Sequence, residues 1–573
     1  MIRHSAVQKT LSRRRFLQQA GLLGLGAAAY AACGGDSDTL DSTSLDRTIV
    51  IGDEDALLSG PGEPHAVRTD LADAQTGREE RRVSLLAFHH FSDFRITDEE
   101  SPARAEWMAG CATPSTEAFR PQETLSVQAA DALIARANAL SSGRATGRPI
   151  DFAIHTGNAA DNAQFNELRW FVNVMDGGTP VYPDSGAIGY QGVQPFSPAP
   201  NYNDLLNQAQ RQFSPVGLRY PWYSALGNRD VLVQGSVAPG ERASRIATGA
   251  QKIMALGPDA TDEACAGSQV LIGADSSTTV LNDPDTVVRS VGKDGNRRFL
   301  GRVDWVAEHF ATPDVPGPAG HGFSPDSVAE DTAYYSFEVG PVAMIVLDTV
   351  NLAGGAAGSI GEGQFLWLGQ ELIARSSSYL DHTGAPVQTT NTDKLIIVAS
   401  HHPNESLNNP FPGPLPEEPR YQGPALEALL HRFPNVVLHI AGHTLAHRVT
   451  AKSSVAGDAG YWEITTGSPS YWPMQGRLIE IVDNRDGTLS IISTVYDSAA
   501  PINPGDADDP TPDDGQNQLL LASVARQVAA RDSLRDPDTR GLAASDRNAE
   551  LVLRSPVDSA ALVTPAARPD DLP

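Results

Sequence analysis

Residues 81–107, RRVSLLAFHHFSDFRITDEESPARAEW, decide how the chain is read. Val83 to Phe88 is an apolar run, the pattern of a strand buried on both faces. A polar turn carrying Asp93, Arg95 and Asp98 follows just past the strand's carboxyl end, where open α/β sheets place ligand sites. Four later strand patterns end in the same way: in HTGN (155–158), LGNRD (226–230), SHHP (400–403) and AGHTLAH (441–447). Strand ends rich in Asp, Asn, His and Arg predict one converging polar site.

The chain has 573 residues, 40% hydrophobic and 20% charged, with a formal net charge of −27. Its length is that of about four average domains, much of it taken up by insertions and tails. The acidic balance excludes a nucleic-acid binder and direct attraction to an anionic membrane, since both need basic patches. Ser12-Arg13-Arg14-Arg15-Phe16-Leu17 has the pattern of a twin-arginine export signal. The Gly/Ala-rich run Ala20 to Ala32 behind it is too short to span a bilayer. Cys33, between Tyr30-Ala31-Ala32 and Gly34-Gly35-Asp36, resembles a lipoprotein cleavage site. Residues 1–33 are thus expected to be a signal peptide, and the mature protein extracytoplasmic or periplasmic, touching membrane only through a lipid on Cys33. Cys111 and Cys265 then remain, and two readings stand: a disulfide or two separate thiols.

Residues 34–80 read as an acidic tether and surface extension. Strand and helix patterns alternate from Val83. A strand over 83–91 is followed by a helix from about Pro121, then a strand over Ile150 to His155 and a helix over 162–175. The stretch 176–219, rich in Gly, Pro and Asn, reads as a long excursion, and 236–330 as an insertion with a few helices that acts as a lid. Regular pattern returns in a hairpin over 334–351, a helix over Gln364 to Ile373, and strands at Leu395 to Ala399 and Val436 to Ile440. YWEITT (461–466) and a hairpin over 477–495 close the sheet. Residues 501–573 read as one helix near 516–530 and a disordered tail.

Taken in order, the strand-end motifs resemble those of the calcineurin-like metallophosphoesterase superfamily. They are Asp93-Phe94-Arg95, Gly157-Asn158-Ala159-Ala160-Asp161, Gly227-Asn228-Arg229-Asp230, His401-His402-Pro403 and Gly442-His443-Thr444-Leu445. The stretches RPQETLSVQ, DNAQFNELRW and GYWEITTGS are similar to an exported bacterial subfamily. The resemblance spans roughly 60–500 and implies an α/β domain over 81–500: two packed mixed β-sheets flanked by helices, a four-layer sandwich with long insertions. It also implies two divalent metals about 3.5–4 Å apart that hold an attacking hydroxide and a phosphate ester.

The metal-ligand positions depart from the family pattern. One metal would take Asp93, Arg95, Asn158 and Leu445, of which only Asp93 remains a usual anionic ligand; the guanidinium of Arg95 is permanently charged. The other would take Asn158, Asn228, His401 and His443, without a bridging carboxylate. A full dimetal centre is therefore not expected. The surviving set is three neutral donors, Asn228, His401 and His443, suited to one imidazole-binding transition metal such as Mn, Fe or Zn. Arg229 stands where the family has a histidine; it cannot supply a proton but can hold an anionic oxygen, as can Arg95. A bulge at Leu445-Ala446 would instead bring in His447, with His90 approaching from the first strand. Two functions follow: an exported phosphate-ester hydrolase with weak or absent metal-dependent turnover, or a catalytically silent envelope lipoprotein whose arginine-lined cleft binds an anion or a protein partner.

Overall fold

The computed structural model describes residues 41–573, apart from 108–117, 195, 200–201, 203, 258–284, 313–315, 413–417, 455–459, 505–513, 533–542, 559–561 and 563–573. The twin-arginine stretch and all three cysteines lie outside the described residues. Among those described, no helix is long and apolar enough to cross a membrane.

The core strands, in chain order, are β1 Ala66–Arg68, β2 Val83–Phe91, β3 Phe152–His155, β4 Trp222–Ser224, β5 Tyr335–Val339, β6 Val342–Val346, β7 Leu395–Ala399, β8 Val436–Ala441, β9 Arg448–Ser453, β10 Gly460–Thr465, β11 Gln475–Asp483, β12 Thr488–Asp497 and β13 Ala549–Arg554. The main helices are α1 Ser126–Ala139, α2 Phe165–Asp176, α3 Glu362–Ala374, α4 Gly423–Leu430 and α5 Asp514–Arg531. The protein is α/β, with two mixed sheets. One runs β1-β13-β12-β11-β2-β3-β4, the other β9-β10-β8-β7-β6-β5. Parallel pairing joins β2 to β3, β3 to β4, β6 to β7, β7 to β8 and β8 to β10.

Strand periodicity explains the layering. Val342, Met344, Val346, Leu395, Ile397 and Ala399 join the core that holds Leu86 and Phe88 of β2. Their neighbours Ile345, Leu347, Ile396 and Val398 point the other way, onto Leu368 and Leu372 of α3 and Leu426 and Leu430 of α4. A strand clothed on both faces has no polar alternation, so these strands are continuous apolar runs. The two sheets touch directly: the Tyr223 and Phe337 rings stack at 3.7 Å, and the Tyr335 hydroxyl donates to the Ser224 carbonyl at 2.8 Å.

Two boundaries differ from the sequence reading. The sheet extends past 81–500 at both ends, because β1 lies in the expected tether and β13 in the expected disordered tail. β13 pairs antiparallel with β12 and parallel with β1. Its Leu551 and Leu553 lie in the shared core. Six residues bounded by polar chain gave little signal alone; their stability comes from the sheet edge they cover. The 236–330 insertion contains a hairpin, Gln251–Ala255 with Val287–Ser290, that the sequence did not signal. Leu551→Ala is expected to lower the unfolding free energy by about 2–5 kcal/mol, as for other fully buried leucines. Chemical denaturation checks it, and a loss below about 1 kcal/mol would place β13 outside the cooperative core.

Candidate functional site

The carboxyl ends of β2, β3, β7 and β8 and the turn after β4 meet at one place, and the backbone there is crowded. A Cβ on Gly442 would lie 1.6 Å from Ser92 Oγ, and one on Gly157 would lie 2.6 Å from the Gly227 nitrogen. Asp93, Arg95, His443 and Leu445 all have φ between 46° and 65°, the left-handed region that side chains rarely adopt. Such concentrated strain marks functional sites more often than plain scaffolding.

Asp93 is fully buried and saturated. Its Oδ1 accepts from Asn158 Nδ2 at 2.9 Å and Arg95 Nε at 3.3 Å; its Oδ2 accepts from Ser92 Oγ at 2.7 Å and the His443 N–H at 2.8 Å. Burial pushes its carboxyl up, but His401, Arg95 and the Ser92 hydroxyl outweigh this and hold it well below the usual carboxylate range. Both N–H groups of the Asn158 amide are used as well. Its Oδ1 accepts from the Arg229 N–H at 2.7 Å, while Nδ2 donates to Asp93 and to His401 Nε2 at 3.1 Å.

The five positions singled out as metal ligands, Asp93, Asn158, Asn228, His401 and His443, are thus brought together, and they divide into two halves. In one half, Asp93 faces Arg95. In the other, lone pairs converge. His401 Nδ1 donates to the Thr156 carbonyl at 2.8 Å, which fixes the tautomer and leaves Nε2 as an acceptor. Asn228 Nδ2 donates to the Gly235 carbonyl at 2.8 Å, which turns Oδ1 toward His401 Nε2 at 2.9 Å. His443 Nδ1 stands 3.3 Å from the same Nε2. Burial lowers the His401 pKa to about 3, and its Nε2 lone pair meets the Asn158 Nδ2 N–H, a contact that a metal would have to displace. Metal bonds of about 2.0–2.2 Å at tetrahedral angles would set neighbouring donors roughly 3.4 Å apart, close to the separations found. Asn228, His401 and His443 are the residues of this half that could hold one metal ion. The donor atoms of His401, His402 and His443 lie within 4.8 Å of one another, but His402 is engaged elsewhere. Its Nδ1 meets the Thr349 hydroxyl at 2.8 Å and its Nε2 donates to the Ala356 carbonyl at 3.0 Å.

A second metal does not fit the other half. Asp93 has no oxygen left to share, the Asn158 amide oxygen is turned to the Arg229 N–H, Arg95 brings a fixed positive charge, and Leu445 has no donor. The bulge that would bring in His447 and His90 is absent. His447 Nδ1 accepts from Arg477 Nη2 at 3.0 Å, and His90 is held between the hydroxyls of Thr156 and Thr466.

Arg229 lies 3.0 Å from Asp161 Oδ1. Two arginines that the sequence did not single out join it: Arg120 reaches Asp161 Oδ1 at 3.0 Å, and Arg104 binds Oδ2. Burial opposes the Asp161 charge, yet Arg120, Arg229 and Arg104 hold its carboxyl far below the usual range. Arg95 and Arg120 both donate to the Tyr471 hydroxyl, at 2.8 and 2.9 Å, and lie over its ring. Arg104 and Arg120 also pair with carboxylates close by in sequence, Glu106 and Glu123, a spacing common on exposed surfaces and so no signal of burial. Asp98 lies outside the site. It binds Ser185, Asn166 and Arg297, and with Glu100 it anchors the excursion and the insertion. Compared with known proteins, the chain matches no family model and no curated sequence.

Burial, then the charge of Asp98, pushes the Glu100 carboxyl up to about 8; burial does the same for Glu123 despite Arg104 and Arg120. Native pKa values above the unfolded value of about 4.3 mean that the folded state binds more protons, so this stability is present below that value and lost as pH rises toward 8. Glu463, pulled down to about 2 by His439 and Lys452 against burial, acts oppositely, and its contribution is lost as pH falls from about 4 to 2. Buried histidines such as His89 and His309, lowered to about 4, add stability as pH rises to about 6.5, so the denaturation midpoint is expected to fall between about pH 7 and 8, and Glu100→Gln should flatten that fall. An equal slope in the variant would remove Glu100 from the account.

Proposed function

We propose that the chain is an exported metallophosphoesterase-like protein of the two-sheet sandwich type, with one half of its metal site replaced by an ion pair. On this reading it takes a phosphate ester or related anion, with weak or absent metal-dependent hydrolysis. The observation that carries it is the division of the site: Arg95 on Asp93 at 3.3 Å in one half, and His401 Nε2, Asn228 Oδ1 and His443 Nδ1 facing one another in the other. A single ion held by Asn228, His401 and His443 would act as a Lewis acid on a phosphoryl oxygen. Arg95 and Arg229 would supply positive charge beside that oxygen. Neither can transfer a proton, so the general-acid contribution, about 10²–10⁴-fold where it operates, is missing.

A second reading, a silent envelope lipoprotein binding an anion or a protein partner, draws support from charge. Four guanidiniums, Arg95, Arg104, Arg120 and Arg229, stand around Asp93 and Asp161, with Glu106 and Glu123 beside Arg104. Arginine is thus gathered at the site, even though the chain as a whole is acidic.

Elemental analysis of the purified protein after exposure to manganese, iron and zinc separates the readings. About one metal per chain, lost in His401→Ala and with Asn228→Ala, is the expected result; a metal-free protein indifferent to chelator would favour the silent binder. Two metals in the unaltered protein would overturn the proposed division of the site. The triple variant Asn158→Asp, Arg95→His, Leu445→His is expected to raise the count toward two.

A further inference from the structure

The loop that presents His401 is held from behind by a buried chain of hydrogen bonds. His439 on β8 lies opposite Glu463 on β10 across a parallel strand pair, and Ser400 directly follows β7. All three are buried: His439 and Ser400 are 0% exposed and Glu463 5%. His439 Nδ1 stands 3.0 Å from Glu463 Oε2, and its Nε2 stands 2.8 Å from Ser400 Oγ. Ser400 Oγ also lies 2.8 Å from the His402 carbonyl, to which it can donate. Glu463 Oε2 accepts from the Asn404 N–H at 3.0 Å as well. The chain of contacts thus holds residues 400–404 at both ends.

Its protons can be counted. Burial raises the Glu463 carboxyl, yet its contact with His439 and the nearby Lys452 bring it down to about 2, so it is ionised. A carboxylate only accepts, so His439 Nδ1 carries a proton. The Ser400 hydroxyl has one proton and faces two acceptors whenever the ring is neutral, His439 Nε2 and the His402 carbonyl. One of those buried acceptors then goes unmatched, which is unfavourable. Among the described residues, no other donor reaches the His402 carbonyl. A ring protonated on both nitrogens removes the conflict. Nε2–H donates to Ser400 Oγ, the Ser400 proton goes to the carbonyl, and the buried charge faces a buried carboxylate. The other titratable groups around the pair are Lys452 on β9, Tyr461 on β10, and Glu427 and His431 at α4, with Glu427 already 3.4 Å from Lys452. We propose that His439 is a positioning residue, a buried imidazolium whose second ring proton keeps the Ser400 hydroxyl on the His402 carbonyl and so sets the loop that presents His401. No hydrogen bond or ring contact joins His439 to Asn228, His401 or His443 among the described residues, so it acts through Ser400. Its charge state stands on the hydrogen bonds alone; its bearing on a metal rests on the function proposed above.

The test is a two-bond 15N–1H spectrum of the full chain labelled in histidine, at about pH 7, where an ordinary imidazole is mostly neutral. His439→Gln identifies the His439 signals by their loss. Two protonated nitrogens on this ring are expected, and one protonated nitrogen beside one lone pair would overturn the proposal. Glu463→Gln keeps an acceptor for Nδ1–H but removes the charge. It is expected to return His439 to a neutral ring and to shift the His401 ring signals in metal-free protein. Ser400→Ala, which removes only a hydroxyl, should shift them too and serves if the first variant does not fold. Unmoved His401 signals would overturn the positioning role. In zinc titrations either variant should weaken binding about tenfold, the scale seen for groups behind a metal ligand, and an unchanged affinity would also overturn that role. An unaltered chain that binds no zinc would count against the metal-holding function, while the ring and loop signals would still decide the proposal.

Discussion

Asp161 holds a full negative charge out of contact with water, and three guanidiniums keep it there. Removing any of them would leave a buried charge short of a partner, a change that costs about 3–5 kcal/mol in comparable buried pairs. Each arginine comes from a different stretch, so one carboxylate ties three segments together. Arg104 belongs to the buried 97–106 segment, Arg120 to the approach to α1, and Arg229 to the turn after β4. Arg120 then shares the Tyr471 hydroxyl with Arg95, and Arg95 closes on Asp93. The loops that carry the site are positioned by this chain of charge and hydrogen bonds as much as by the strands beneath them.

That framework limits the chemistry. Charge-assisted contacts in a dry interior are strong and rigid, and they consume the oxygens a metal would need. The half of the site that contains Asp93 is therefore electrostatically complete without an ion. In the half that contains His401 the donors are neutral, the tautomer is fixed from behind by Thr156, and Nε2 faces Asn228 Oδ1 while accepting from Asn158 Nδ2. A cation there would have to displace the Asn158 N–H.

Much of this was readable from the residues. β2 and β7 match the expected spans because runs such as VSLLAF and LIIVA have only one way to be buried, and the polar residues that follow such runs had to meet at one sheet end. That Arg95 and Arg229 would pair with carboxylates among Asp93, Asp161 and Asp230 follows from the same logic of charge, but not which takes which. What could not be read depends on distance in the chain. β1 and β13 are stabilised by each other and by β12, across nearly 500 residues of sequence, and neither has a local pattern strong enough to stand out. Arg104 and Arg120 look like ordinary surface charges until Asp161 is placed between them. Their burial is a property of the assembled network, not of their neighbours in sequence.

Asn158 shows how the residues around Asp93 depend on one another. Asn158 Nδ2 donates to Asp93 Oδ1 at 2.9 Å and to His401 Nε2 at 3.1 Å. An aspartate there would turn an oxygen toward both acceptors. With a metal between them, that oxygen would be a ligand; without one, two buried carboxylates would face each other, and one would have to take up a proton. An amide is the isostere that satisfies both neighbours when no cation is bound. Arg95 is its counterpart, since it offsets the one carboxylate that stays. Changing either residue alone would leave the other mismatched: Asn158→Asp with no cation to bridge, or Arg95→His with a neutral imidazole beside Asp93. Asn158 and Arg95 are thus coupled through the one carboxylate they share.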